Sequence, residues 1–158
     1  MTYIYDLSNK KLIESEIVLA SGKMPFKKDG WNFDWNKLTK VKNTKTYVLR
    51  LKDETQSIEG ILQLRLENDM LIMDVIEIAP HNIGSSSKKF DFVAGCLIAF
   101  GCRESFKIEG SYKGFLTFTS KTNLVDWYKT KYGATQALGQ RMFINESIGL
   151  QLIEKYLR

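Results

Sequence analysis

The chain has 158 residues, of which 44% are hydrophobic and 26% charged, with a formal net charge of +5 and a pI near 9.1. That length matches one domain, 1–158, able to enclose a hydrophobic core, and the composition excludes a disordered chain and a disulfide scaffold. No apolar run approaches the roughly 20 residues that cross a bilayer, and MTYIYDLSNKK lacks a charged-then-apolar leader, so the expectation is a cytoplasmic protein that does not engage a membrane.

Taken in chain order, Thr2 to Leu7 reads as a strand, and Lys11 to Leu19 fits either a strand or a helix. Trp31-Asn-Phe-Asp-Trp35 leads into a short helix through Leu38, with Asp34 as its N-cap. Tyr47 to Leu51, Ile58 to Leu66 and Leu71 to Ala79 are β-rich runs separated by polar turns at Asp53-Glu54-Thr55 and Glu67-Asn68-Asp69. They read as an antiparallel meander, and the strict alternation of Leu62-Gln-Leu-Arg-Leu66 marks a strand with one wet face. Phe90 to Phe106 is apolar on all sides at helical spacing and predicts a buried helix. Phe115 to Thr119 reads as a strand, Asn123 to Lys131 as a helix ending near Gly133, Arg141 to Asn145 as a strand and Ser147 to Leu157 as a closing helix. The fold class is therefore α/β, a mixed, largely antiparallel sheet flanked by helices.

Cys96 and Cys102 lie in the apolar stretch without a metal-ligand or CxxC spacing, so buried reduced thiols and no metal are expected. The lysines are dispersed along the chain, as a solvated surface requires, and the positive charge also permits an anionic ligand.

The order of elements from Ile58 to Asn145 resembles the GNAT N-acetyltransferase superfamily. Two phrases carry the resemblance. In the first, a strand ending in Ile78-Ala79-Pro80 leads through His81-Asn-Ile-Gly-Ser-Ser-Ser-Lys-Lys89 into Phe90-Asp-Phe-Val-Ala94, where the family holds the CoA pyrophosphate on backbone amides and a helix N-terminus. In this register Lys89 takes the basic position, Ala94 the last small residue, and Phe92 stands where glycine is usual. The second phrase, Lys121-Thr-Asn-Leu-Val-Asp-Trp-Tyr128-Lys-Thr-Lys-Tyr-Gly133, places Tyr128 where the family carries a tyrosine beside the CoA sulfur. Lys121 stands where asparagine is usual.

The resemblance implies acetyl-CoA as co-substrate and direct transfer of an acetyl group to a primary amine on a small molecule or peptide. Ile78, Asn82, Gly84, Lys88, Lys89, Phe92, Val93, Ala94 and Lys121 become the candidate donor-binding residues. Unpaired N–H groups and the helix dipole near Val93 suit a pyrophosphate, although two solvated lysines before an ordinary helix have the same sequence. Thioester aminolysis needs a proton acceptor for the ammonium and a donor for the thiolate. Glu77, which interrupts the apolar Val75-Ile-Glu-Ile-Ala79, is the candidate base, with an edge carboxylate paired to a lysine as the alternative. Asp74 competes for the role, but simple alternation puts it on the opposite strand face. Tyr128 is the candidate acid or else a core aromatic beside Trp127 and Tyr132. His81, the single histidine, is a second candidate base or a structural loop residue. Two further functions fit the charge and the fold: a non-catalytic acyl-CoA sensor, and a basic nucleic-acid module, which the lack of RRM, KH or helix-turn-helix phrases disfavours. The pattern leaves a homodimer open.

Overall fold

Among the described residues, nine strands form one sheet in the order β6-β1-β2-β3-β4-β5-β7-β9-β8. The computed structural model describes residues 2–84 and 86–157. The strands are β1 (Thr2–Asp6), β2 (Lys11–Leu19), β3 (Thr44–Leu51), β4 (Ile58–Glu67), β5 (Met70–Ile78), β6 (Phe90–Asp91), β7 (Leu116–Thr119), β8 (Thr135–Gln136) and β9 (Arg141–Ile144). The helices are α1 (Trp35–Leu38), α2 (Val93–Ser105), α3 (Val125–Tyr132) and α4 (Glu146–Tyr156). The expected α/β class with a mixed, largely antiparallel sheet is the observed one.

β2 resolves the ambiguity at Lys11 to Leu19. It pairs with β1 on one edge and β3 on the other, so the sheet takes up its backbone groups on both sides. The predicted helix from Phe90 is shorter than expected. Phe90 and Asp91 pair with Asp6 and Tyr5 as β6, and the Asn82 side chain accepts the Phe90 N–H at 3.0 Å, so α2 begins only at Val93. The two-residue β8, paired with β9, has no counterpart in the sequence reading. Asp34 caps α1 as predicted, accepting the Lys37 N–H, and Gly133 closes α3 at φ 68°.

α2, α3 and α4 cover one face of the sheet, where Ile4, Leu49, Leu62, Leu97, Leu116 and Ile144 are fully buried. Each such side chain stabilises the fold by about 1.5–3 kcal/mol relative to exposure. Trp31 and Trp35, with Val48, Ile61 and Ala79, pack on the other face.

The one parallel pairing among the described residues joins β5 to β7, and it covers three residues, Leu71 to Met73 against Leu116 to Phe118. Beyond it, β5 carries an extra residue: Gln63 pairs with Val75 and Leu64 with Met73, leaving Asp74 over. This bulge inverts the alternation along the rest of the strand. Asp74, which pairs with Arg65, and Glu77, whose partner Ile61 packs with Trp35, therefore share the α1 face. The expected separation of these two carboxylates onto opposite faces is thereby corrected.

α2 and α4 cross closely at Gly95, where an added Cβ would lie 2.3 Å from the Tyr156 ring. At Gly149 on α4 the nearest atom to an added Cβ is 3.4 Å away, an ordinary contact. Gly95→Ala should therefore destabilise the protein by roughly 1–3 kcal/mol through overpacking. Gly149→Ala should be neutral or stabilising by up to about 1 kcal/mol through helix propensity. Urea midpoints of the two variants, at unchanged slope, check this contrast.

Candidate functional site

Two cavities lie on either side of the end of β5. One, of about 490 Å³, opens where β5 leaves β7 and is lined by Asp74 to Ile78, by Phe118 to Lys121, and by Asn32, Phe33, Trp127 and Tyr128. The other, of about 440 Å³, lies over the start of α2 and takes in Asn82, Gly84, Lys88, Phe92, Val93, Ala94, Lys131, Lys155 and Tyr156. Ile78, Ile83 and Trp127 line both.

The loop between the two is fastened at its neck. The Lys89 N–H donates to the His81 carbonyl at 2.9 Å, and buried Asn82 takes the Phe90 N–H while giving its own NH₂ to Glu59. Asn82 is thus a brace, and the closure leaves Ile83, Gly84 and Lys88 at the cavity. Lys89 does not line it; its ammonium stands 5.3 Å over the Phe90 ring.

Phe92 caps α2 with φ 74°, a left-handed conformation that costs a bulky L-residue roughly 1–2 kcal/mol. The glycine expected at this position would adopt it freely. Asp91 accepts the Phe92 N–H at 2.8 Å and the Lys88 ammonium at 3.0 Å. Burial alone would raise the Asp91 carboxyl, but the Lys88 and Phe92 hydrogen bonds outweigh it and hold it below its ordinary value. Asp91 is therefore charged at neutral pH and already neutralises Lys88. Lys131 and Lys155 form no ion pair among the described residues; Lys131 stands over the Trp127 and Tyr132 rings and Lys155 over the Tyr156 ring, and the two bring further positive charge to this cavity.

Glu77 is buried, and three donors converge on it. Its Oε2 accepts from the Asn32 N–H at 2.5 Å, and its Oε1 from the Phe33 N–H at 3.2 Å and the Trp35 indole at 2.8 Å. The carboxylate thereby clamps the 31–35 segment onto β5 as one wall of the cleft. A carboxylate offers about four acceptor positions, so one remains, on Oε2.

Tyr128 projects from α3 into the same cleft, its ring 4.7 Å from that of Phe118. Burial raises the phenol above its ordinary value, and the hydroxyl makes no hydrogen bond among the described residues. It is a protonated donor without a competing partner. Lys121 lines the cleft entrance from the end of β7.

His81 lines neither cavity. Its Nε2 lies 2.6 Å from Oε1 of Glu59, a carboxylate that is 1% exposed and also receives Asn82. The cysteines lie inside α2, where burial pushes both thiols up to about 12, so neither is a thiolate nucleophile at neutral pH.

Several residues at the site escaped the sequence reading. Trp127 and Lys131 had a usable signal, since i,i+4 spacing puts them on one face of α3. Asn32 and Phe33 lie in Trp31-Asn-Phe-Asp-Trp35, whose alternation does not show what their backbone N–H groups bond. Lys155 and Tyr156 arrive only because α4 packs back across α2. Among the described residues no helix is long and apolar enough to cross a membrane, and no group of three metal-ligating side chains is found.

No protein-family model and no curated protein matches this sequence. Solved structures do match its shape. A chain of the KacTA–DNA complex is 14% identical and superposes with a TM-score of 0.62 over 90% of this chain and 99% of that one. A mutant of the AtaT toxin, bound to the C-terminus of the antitoxin AtaR and to acetyl-CoA, is 12% identical with a TM-score of 0.60 over 87% and 98%. A mutant form of the spermidine/spermine N-acetyltransferase SpeG from Vibrio cholerae is 16% identical with a TM-score of 0.50 over 74% and 73%. At these identities the likeness is one of fold. With the split between β5 and β7 and the turn that leads from β5 into α2, it shows that this chain has a GNAT-like fold.

Proposed function

We propose that this protein is an acetyl-CoA-dependent N-acetyltransferase that transfers the acetyl group by direct attack of a primary amine. One observation carries the reading: the two cavities meet at Ile78, Ile83 and Trp127, one cationic and set over a helix N-terminus, the other flanked by an unpaired strand edge and a protonated tyrosine. A pyrophosphate suits the first, on the Val93 and Ala94 amides with Lys131 nearby. A thin arm bearing amides suits the second, because β5 beyond Met73 has no strand partner on that edge among the described residues.

In this reading the amine nitrogen attacks the thioester carbonyl, the new C–N bond forms, and the C–S bond breaks. The ammonium proton passes to the free acceptor position on Glu77 Oε2, directly or through water. The departing thiolate takes the Tyr128 proton, which solvent restores. Cys96 and Cys102 are buried and line neither cavity, which favours direct attack over an acyl-cysteine intermediate. The three donors already on Glu77 favour a second reading, in which the carboxylate is only a clamp and the protein binds acyl-CoA without turnover.

Acetyl-CoA at about 100 times its dissociation constant should stabilise the fold by about 2.7 kcal/mol, and an unchanged melting temperature at millimolar ligand would sink both readings. Lys131→Glu should weaken binding, most at low salt, and Lys89→Glu should leave it nearly unchanged. Asp91→Asn, which frees Lys88, should tighten it.

With an amine acceptor that turns over, Tyr128→Phe should lower kcat by about 100-fold or more with little effect on donor affinity. Glu77→Gln should lower kcat most at neutral pH and recover at high pH, where free amine abounds. It should also destabilise the protein by about 1–3 kcal/mol, because the amide satisfies the three donors poorly. Donor binding without turnover across a panel of amines would select the non-catalytic reading.

A further inference from the structure

Phe92 adopts a backbone conformation that glycine would hold without strain, yet its ring is not spent on the core. The residue is 40% exposed, and its ring stands 6.0 Å from that of Tyr5 and 6.2 Å from that of Tyr156. It forms the boundary between the cationic cavity over α2 and a smaller recess of about 130 Å³ framed by Tyr3, Leu12, Lys155 and Tyr156. Lys155 and Tyr156 line both spaces, and Lys155 forms no ion pair among the described residues. A strained residue that offers an aromatic face to solvent, beside an ammonium held 5.2 Å over the Tyr156 ring and without a carboxylate partner among the described residues, is the arrangement that binds a flat ring joined to a phosphate.

We propose that Phe92 and the recess beside it form a nucleobase shelf. The purine of the donor nucleotide stacks on the Phe92 ring, and the Lys155 ammonium pairs with the phosphate on its ribose. The inference rests on the donor-site reading of the α2 cavity and adds the part of the ligand that this cavity does not hold. It also accounts for a phenylalanine at a left-handed position: a glycine there brings the phosphate closer but leaves the base without a surface.

The test uses adenosine 3′,5′-bisphosphate, which carries the base and phosphates but no thioester arm, with inorganic pyrophosphate as the base-free control. The full-length protein should bind the bisphosphate in calorimetry. Phe92→Gly, which fits the left-handed backbone and keeps the fold, should weaken the bisphosphate about tenfold and change pyrophosphate binding less than twofold. Lys155→Gln should weaken the bisphosphate and flatten its salt dependence, while leaving adenosine itself unaffected. No binding of the bisphosphate by the parent overturns the shelf, as does equal or tighter binding by Phe92→Gly. An unchanged affinity in Lys155→Gln overturns the phosphate pairing. Stabilisation by acetyl-CoA together with failure to bind the bisphosphate removes the shelf and leaves the donor reading standing. Bisphosphate binding without stabilisation by acetyl-CoA removes the donor reading, and with it the donor nucleotide, and leaves only a nucleotide site at Phe92 and Lys155.

Discussion

The rest of the structure follows from the brevity of the parallel pairing between β5 and β7. Three residues on each strand hold the two halves of the sheet together, and the extra residue at Asp74 then turns β5 away. A parallel ladder continued to Ile78 would have satisfied every backbone group and closed the molecule. The split instead leaves a strand edge facing a cavity, and everything around it manages the cost of that opening. Glu77 fastens a loop across one side, α3 supplies Trp127 and Tyr128 on the other, and the loop after β5 folds over the end.

The strands and helices that generate this split were legible where local periodicity and burial agree. The alternation in Leu62 to Leu66 and the apolar run around α2 produced elements close to those observed, but the face expected to be wet is covered at Gln63, which is buried and donates to the Leu38 carbonyl. The bulge was not legible, because one additional residue leaves the composition of Val75 to Ala79 unchanged while reversing which side chains share a face. The α2 boundary moved for a similar reason. Phe90 and Asp91 have acceptable helical spacing, but β1 offers them hydrogen bonds and Asn82 fixes Phe90, so tertiary pairing overrides the local pattern.

At the site, legibility followed distance along the chain. The residues just after β5 and on α3 could be placed because a turn between strand and helix, and a helix after a strand, are local features. The donors that engage Glu77 come from more than forty residues earlier in sequence. Their convergence depends on the loop after β2 wrapping over the sheet, and the alternation of Trp31 to Trp35 does not reveal that two of the donors are backbone N–H groups. His81 shows the opposite case. Its proximity to the donor loop in sequence suggested chemistry, whereas its imidazole turns to the buried Glu59 and leaves the cavities to its neighbours.

The cationic cavity is assembled from segments remote in sequence. Lys88 and Phe92 come from the middle of the chain, Lys131 from α3, and Lys155 and Tyr156 from the last turn of α4, while Tyr5 on β1 backs Phe92 and Thr2 bridges to Leu157. Tyr156 also belongs to the main core, where its ring packs on Gly95 of α2. The wall of the cavity and the seating of α4 are therefore one contact, and a change that loosens α4 also opens the cationic cavity.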